Sequence, residues 1–192
     1  MKTIKKITLV ALMLGTLIGY ANEDKKDTDN KAKKTVKVEF DYVKKGQTLT
    51  IKNNKGNAVY NNEIENAGSY SRTFNISALE DGIYAAELNK SFEIIIKSFY
   101  VKNGLVTFLK NKDEKIFKPV IRTVDNILLV SRLAFEDDAL DVVIYYNDEV
   151  ILSETTVGKE LDRAYKLSED KVGTYKVVVN SNNRNYTREF TL

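Results

Sequence analysis

The chain has no cysteine, no histidine and no tryptophan in 192 residues, and a single proline, Pro119. Without cysteine there is no disulfide framework, no thiolate nucleophile and no cysteine-ligated metal. Without histidine the usual general base and the commonest transition-metal ligand are gone. An excess of charge of one sign is also missing. The formal charge is +3, from 30 basic and 27 acidic residues, but Lys2, Lys5 and Lys6 lie in a leading segment, residues 1–21, that has no acid. Setting those three aside leaves 27 basic against 27 acidic groups. A basic nucleic-acid footprint is therefore absent, and the two signs alternate as on an ordinary solvated surface. What the chain does have is tyrosine, phenylalanine, valine, isoleucine and threonine, a composition suited to pleated, half-buried strands.

The leading segment has three parts. Met1–Lys6 is basic, Ile7–Ile18 is uncharged and mostly apolar, and Gly19-Tyr20-Ala21 sets small residues at −3 and −1 of a cut after Ala21. This is the pattern of a cleavable signal peptide, expected over residues 1–21. The apolar run is shorter than the roughly 20 residues a spanning helix needs, so no membrane span is expected after cleavage. No cysteine follows it to carry a lipoprotein anchor. Residues 22–34 are polar throughout and cannot offset the entropy of ordering, so a disordered spacer is expected there.

From Thr35 onward, short alternating apolar runs such as Val36/Val38/Phe40, Leu49/Ile51 and Val177/Val179 are separated by Gly, Asn, Asp and Lys. Period two over short runs with turn residues between them indicates an all-β fold of antiparallel strands. The runs also repeat. Ser71-Arg72-Thr-Phe74-Asn-Ile76-Ser77-Ala-Leu79-Glu-Asp-Gly82-Ile-Tyr84 matches Asp162-Arg163-Ala-Tyr165-Lys-Leu167-Ser168-Glu-Asp-Lys-Val-Gly173-Thr-Tyr175 at an offset of 91. The same offset carries Leu49 to Leu140, Ile51 to Val142, Val59 to Val150 and Phe99 to Phe190 without a gap. The expectation is two tandem β-sandwiches, residues 35–103 and 117–192, joined by a linker at 104–116. Leu105–Leu109 reads as a strand of unassigned ownership, and Lys118–Val124 as an extra strand before the second module. Each module is small, but within the size that folds without staples.

The repeated segment reads as a corner between strands. Ser77 and Ser168 can bond local backbone and start the turn. Gly82 and Gly173 can take the positive φ of the return. Tyr84 and Tyr175 then open the next strand, as in the tyrosine corner of immunoglobulin-like sandwiches, where the ring packs and the hydroxyl holds the loop. Recurrence at one spacing favours a structural role over ligand binding. Arg72 and Arg163 read as strand arginines pairing across strands.

Leu49-Thr-Ile51-Lys-Asn-Asn-Lys-Gly56-Asn-Ala-Val59-Tyr60 followed by Ile76-Ser-Ala-Leu79-Glu-Asp-Gly82-Ile-Tyr84 resembles the small β-sandwich modules of secreted Bacteroidetes-type proteins, among them the carboxy-terminal sorting domains of the type IX secretion system. The resemblance covers about fifty residues of the first module and, more loosely, the second. It implies an immunoglobulin-like sandwich and an exported protein. The second module departs from the pattern: its Asn147-Asp148 hairpin has no matching glycine, and Tyr186–Leu192 is not lysine-rich.

Chemistry-bearing clusters are few. Glu136-Asp137-Asp138-Ala-Leu-Asp141 gathers carboxylates in an expected turn, and Asp137, Asp138 and Asp141 are hard oxygen ligands of the kind Ca²⁺ takes; their spacing matches no calcium motif, and a solvated loop is the better reading. Tyr145 and Tyr146 are adjacent on a strand, so one faces in and one out. No cofactor and no catalytic residue is expected. The leading expectation is an exported, non-enzymatic, monomeric module that binds a protein or envelope component, secreted, periplasmic or at the cell surface. The alternatives are a carbohydrate-binding module or small glycosidase, and an accessory or cargo of a dedicated secretion pathway.

Overall fold

The computed structural model describes residues 34–192; the expected signal peptide and nearly all of the spacer lie outside the described residues. Thirteen strands follow in order, with no α-helix among the described residues. The first eight are β1 (Thr35–Val43), β2 (Thr48–Asn53), β3 (Ala58–Glu63), β4 (Gly68–Asn75), β5 (Gly82–Asn89), β6 (Glu93–Lys102), β7 (Leu105–Phe108) and β8 (Glu114–Phe117). The last five are β9 (Val120–Val124), β10 (Ile127–Tyr146), β11 (Glu149–Lys166), β12 (Thr174–Ser181) and β13 (Arg184–Thr191).

The first sandwich sets the antiparallel pair β1–β4 over a sheet in the order β3-β2-β5-β6-β7, with β8 also on β6. Alternation decides what goes inside. Val36, Val38 and Phe40 of β1 point inward, against Leu49 and Ile51 of β2 and Phe99 of β6. The second sandwich is one sheet, β11-β10-β12-β13 with β9 on β10. Its two longest strands serve both layers. Ile127–Leu133 pairs with the end of β11 and with β9, whereas Asp138–Tyr146 pairs with the start of β11. The register shifts between Leu133 and Asp138, and a bulge of this kind bends a strand. Leu128 and Val130 thereby share one core with Leu140, Val142, Ile144 and Val177.

The offset of 91 holds for part of the repeat only. It carries Tyr84 opposite Phe99 onto Tyr175 opposite Phe190. But Tyr84 also faces Asn53, and Tyr175 faces Tyr146, which is 93 residues further on. An even slip of two keeps the same face of the strand in the core, so the pattern survives without a uniform spacing. On β1 the offset is 92, since Val36 faces Phe74 and Leu128 faces Tyr165.

Residues 104–116 are not a free linker. Asn103 and Gly104, at φ of 50° and 75°, make a tight turn of the kind that joins hairpin strands. Leu105–Phe108 then returns along β6, which settles its ownership in favour of the first sheet. After one 3₁₀ turn, Lys110–Lys112, β8 also pairs with β6, Glu93 facing Phe117. Further ties join the two halves. The Lys118 backbone N–H donates to Phe92 O at 2.9 Å. Arg184 Nη2 donates to Glu87 Oε1 and Lys52 Nζ to Glu87 Oε2, each at 2.7 Å. Burial by itself would raise the pKa of Glu87, but the bonds from Arg184 and Lys52 outweigh it and hold the carboxyl below the usual range.

Candidate binding surface of the first sandwich

Tyr84 and Tyr175 occupy matching corners. Their exposures are 6% and 1%. Each ring stacks on the phenylalanine across from it, Tyr84 on Phe99 at 5.7 Å and Tyr175 on Phe190 at 5.6 Å. Each hydroxyl donates to the carbonyl four residues back, Tyr84 to Glu80 at 2.9 Å and Tyr175 to Lys171 at 3.0 Å. Burial raises the pKa of both phenols. The neighbouring motif residues act differently from the sequence reading. Neither Gly82 nor Gly173 has a positive φ. A Cβ on Gly173 would sit 2.9 Å from Asn147 Oδ1 and from the Tyr146 ring, so close approach requires glycine there. Gly82 has open space around it. The Ser77 hydroxyl donates to Asn75 Oδ1 at 2.7 Å instead of to backbone, and Ser168 contributes its carbonyl, accepting from Lys171 N at 3.3 Å.

The acidic run Glu136–Asp141 lies within β10 and not in a turn. Asp138 is spent on Arg132, Oδ2 to Nη1 at 2.7 Å, and Asp141 accepts from Thr155 Oγ1 at 2.8 Å. Asp137 is exposed and lines, with Glu136, Asp113 and Glu114, a cavity of about 660 Å³ that also holds the ring pair Phe117–Phe135. Among the described residues no three Asp or Glu side chains are placed to hold a metal ion. Tyr146 packs on the second core and donates to Val172 O, while Tyr145 lies under the Lys176 ammonium, 4.7 Å from its ring centroid.

Arg72 and Arg163 sit at matching places on β4 and β11, opposite Val38 and Val130. Arg163 Nε donates to Glu154 Oε1 at 2.9 Å, and the Tyr165 hydroxyl donates to Oε2 at 3.1 Å. The Arg163 bond leads in holding Glu154 below the usual carboxylate range. Burial, and then the bond to Glu154, push the Tyr165 phenol up to about 12. Arg72 makes no ion pair with a described residue; the Tyr70 hydroxyl is the neighbour that most raises its pKa, and the Glu65 charge is the weakest of the influences on it. The Arg72 guanidinium carbon stands 5.5 Å from the Tyr60 ring centroid and 5.8 Å from that of Phe74, a cation–π arrangement. It borders a groove of about 270 Å³ walled by Ile51, Val59, Tyr60, Phe74, Ile76 and Leu79. Sequence reasoning marked Arg72 but missed Tyr60 and Glu154. Glu154 reaches Arg163, nine positions along the same strand, only because β11 bends.

The described residues thus form two small antiparallel sandwiches, each with a tyrosine corner. Residues 30–102 match the family of secretion system C-terminal sorting domains, the resemblance that the first module's motifs carry. The match runs to the end of β6. Sorting domains of this family belong to exported proteins. Among solved structures, the BSP domain of a biofilm-associated protein is similar at 16% identity and a TM-score of 0.28, over 81% of this chain and 27% of that one. The ligand-binding domain of human OSCAR is similar at 6% identity and a TM-score of 0.24, over 82% of this chain and 89% of that one. The chain thus spans about a quarter of the biofilm-associated protein it resembles, 27%. Comparison with curated proteins finds no match.

Proposed function

We propose that the protein is an exported, non-catalytic module that binds a protein or envelope component at the cell surface or outside the cell, and that its first sandwich carries the sorting information. The observation behind this is the extent of the family match. Residues 30–102 take in β1 to β6 whole, so the matched unit is the first sandwich's core and not a stray motif. The sheet ends supply what a partner could use, since an end strand offers unpaired backbone donors and acceptors for strand addition.

The test is localisation of the full chain in a bacterium with a type IX secretion system and in an isogenic strain lacking its translocon. The expected outcome is protein on the surface or in the medium of the first strain and retained in the periplasm of the second. The same distribution in both strains would overturn the sorting role.

A further inference from the structure

The duplication sets two equivalent places side by side, one neutralised from within and one not. Tyr84/Phe99 and Tyr175/Phe190 fix the alignment of β5 with β12. From there Leu88 corresponds to Val179, and their partners Leu49 and Val142 face Asn62 and Glu154 respectively. The first sandwich therefore has an amide where the second has the carboxylate that Arg163 grips. Asn62 does not stand in for it, because its Nδ2 donates to the Glu63 carbonyl at 2.7 Å. Tyr165, the other donor to Glu154, is replaced by Phe74, which has no hydroxyl. Arg72 is exposed, makes no ion pair with a described residue, and lies at the mouth of the apolar groove. A guanidinium beside apolar walls is a good receptor for a carboxylate, which it can take through two charge-assisted bonds.

We propose that this groove binds an acidic side chain of an extended peptide segment of a protein partner, its carboxylate taking on Arg72 the place that Glu154 takes on Arg163. A peptide fits better than a sugar acid for two reasons. In the second sandwich the gripped carboxylate is itself carried by a strand. In the first, β3 ends the order of its sheet, so one edge of its backbone faces no described strand and can accept an added one. Alternate side chains of that added strand point the same way, which places aliphatic neighbours of the acid against Val59, Ile76 and Leu79. The inference stands apart from the sorting role, since titration of purified protein does not read export.

The experiment is an amide-resolved NMR titration of the full chain with three probes. These are the acetylated, amidated hexapeptide Thr-Val-Thr-Glu-Thr-Val, which sets a valine two places to either side of the acid on the same face, the same peptide with Gln for Glu, and glucuronate. The Glu peptide is expected to shift β3 and β4 amides. The Gln peptide, and Arg72→Ala with the Glu peptide, are each expected to bind about tenfold or more weakly, the worth of a hydrogen bond to a charged group. Arg72→Lys should fall between. Because Arg72 is exposed, its variants keep their melting temperature, and a thermal melt confirms it. Glu154→Gln frees Arg163 and should add a second set of shifts on β11. Equal binding of the two peptides, no binding at millimolar concentration, indifference to Arg72→Ala, no second site in Glu154→Gln, or glucuronate shifting the same amides as strongly would each overturn the proposal.

Discussion

In the first sandwich β1 stops at Val43 and β2 begins again at Thr48, whereas in the second the corresponding stretch runs unbroken through β10. By the offset of 92 that governs β1, Phe40 corresponds to Arg132. Phe40 is buried in the core, with the Lys97 ammonium 5.1 Å from its ring centroid. Arg132 is buried as deeply, at 4% exposure, yet polar. Its Nη1 donates to Asp138 Oδ2 and Ser181 Oγ, each at 2.7 Å, and its Nη2 to the carbonyls of Asp138 at 3.0 Å and Gly158 at 2.8 Å. The difference follows from the bend. A strand that breaks lets its loop turn its carbonyls to backbone donors, as Lys44 O accepts from Gln47 N at 3.2 Å and Gln47 O from Ile64 N at 2.7 Å. A strand that continues through a bulge leaves carbonyls inside that need a donor. One guanidinium supplies several donors in a fixed fork.

The largest effects should fall on this pair. Arg132→Ala is expected to cost about 3–5 kcal/mol in urea unfolding, because it strands Asp138, Ser181 and two carbonyls. Phe40→Ala should cost about as much, about 3–5 kcal/mol, through the cavity it leaves. What separates the two chemistries is Arg132→Phe. If the corner is a matter of volume alone, that variant is as stable as the wild type. If the bulge needs its donors, it is as damaged as Arg132→Ala.

The same corner shows where sequence stops being informative. Alternation locates Val36/Val38/Phe40 and Val177/Val179 because each strand buries one face, and a period of two is visible residue by residue. Arg132 follows Leu128 and Val130 in that alternation, but an arginine there reads as solvent-facing; only the shift after Leu133 brings Asp138 and Gly158 over it. The tight turns are half legible. Asn103-Gly104 announces itself, whereas Asn147-Asp148 reaches the same left-handed geometry, φ of 46° and 66°, without glycine, as the short polar side chains of Asn and Asp permit. Gly82 and Gly173 mislead in the other direction, since a recurring glycine suggests a positive φ that neither has. The candidate groove is the least legible part. Tyr60 and Arg72 meet across two sheets, and Arg72 stands out only by comparison with the Arg163–Glu154 pair.

A smaller effect should appear at the tyrosine corners, where the sandwiches agree. Tyr84→Phe and Tyr175→Phe each delete one hydroxyl-to-carbonyl bond and leave the stacked ring in place. Each is expected to cost about 0.5–1.5 kcal/mol, and the two costs should match. A large cost at one and none at the other would show that only one of these corners holds its loop.

The smallest difference between the sandwiches should show in alkaline solution. Tyr165 and Phe74 are counterparts, so at this place the second sandwich has a phenol hydrogen-bonded to a carboxylate where the first has a bare ring. Burial comes first in raising the Tyr165 pKa to about 12, and the bond to Glu154 adds to it, since a phenolate there would face a negative charge. A tyrosine in the unfolded chain titrates near 10. A group raised on folding contributes stability that is complete below its unfolded pKa and is lost as pH rises through the folded one. The contribution of Tyr165 should therefore drain away between about pH 10 and pH 12. Tyr60, Tyr84, Tyr175 and Tyr186 are raised by burial as well and share the decline, so Tyr165→Phe should make the alkaline slope shallower without removing it. Glu154→Gln should act on Tyr165 directly. With the charge gone and burial remaining, its ionisation, followed by ultraviolet difference absorbance against Tyr165→Phe, moves down from about 12 but stays above the unfolded value. An unchanged midpoint in Glu154→Gln would mean that burial alone raises the phenol, and that the carboxylate belongs to Arg163 only.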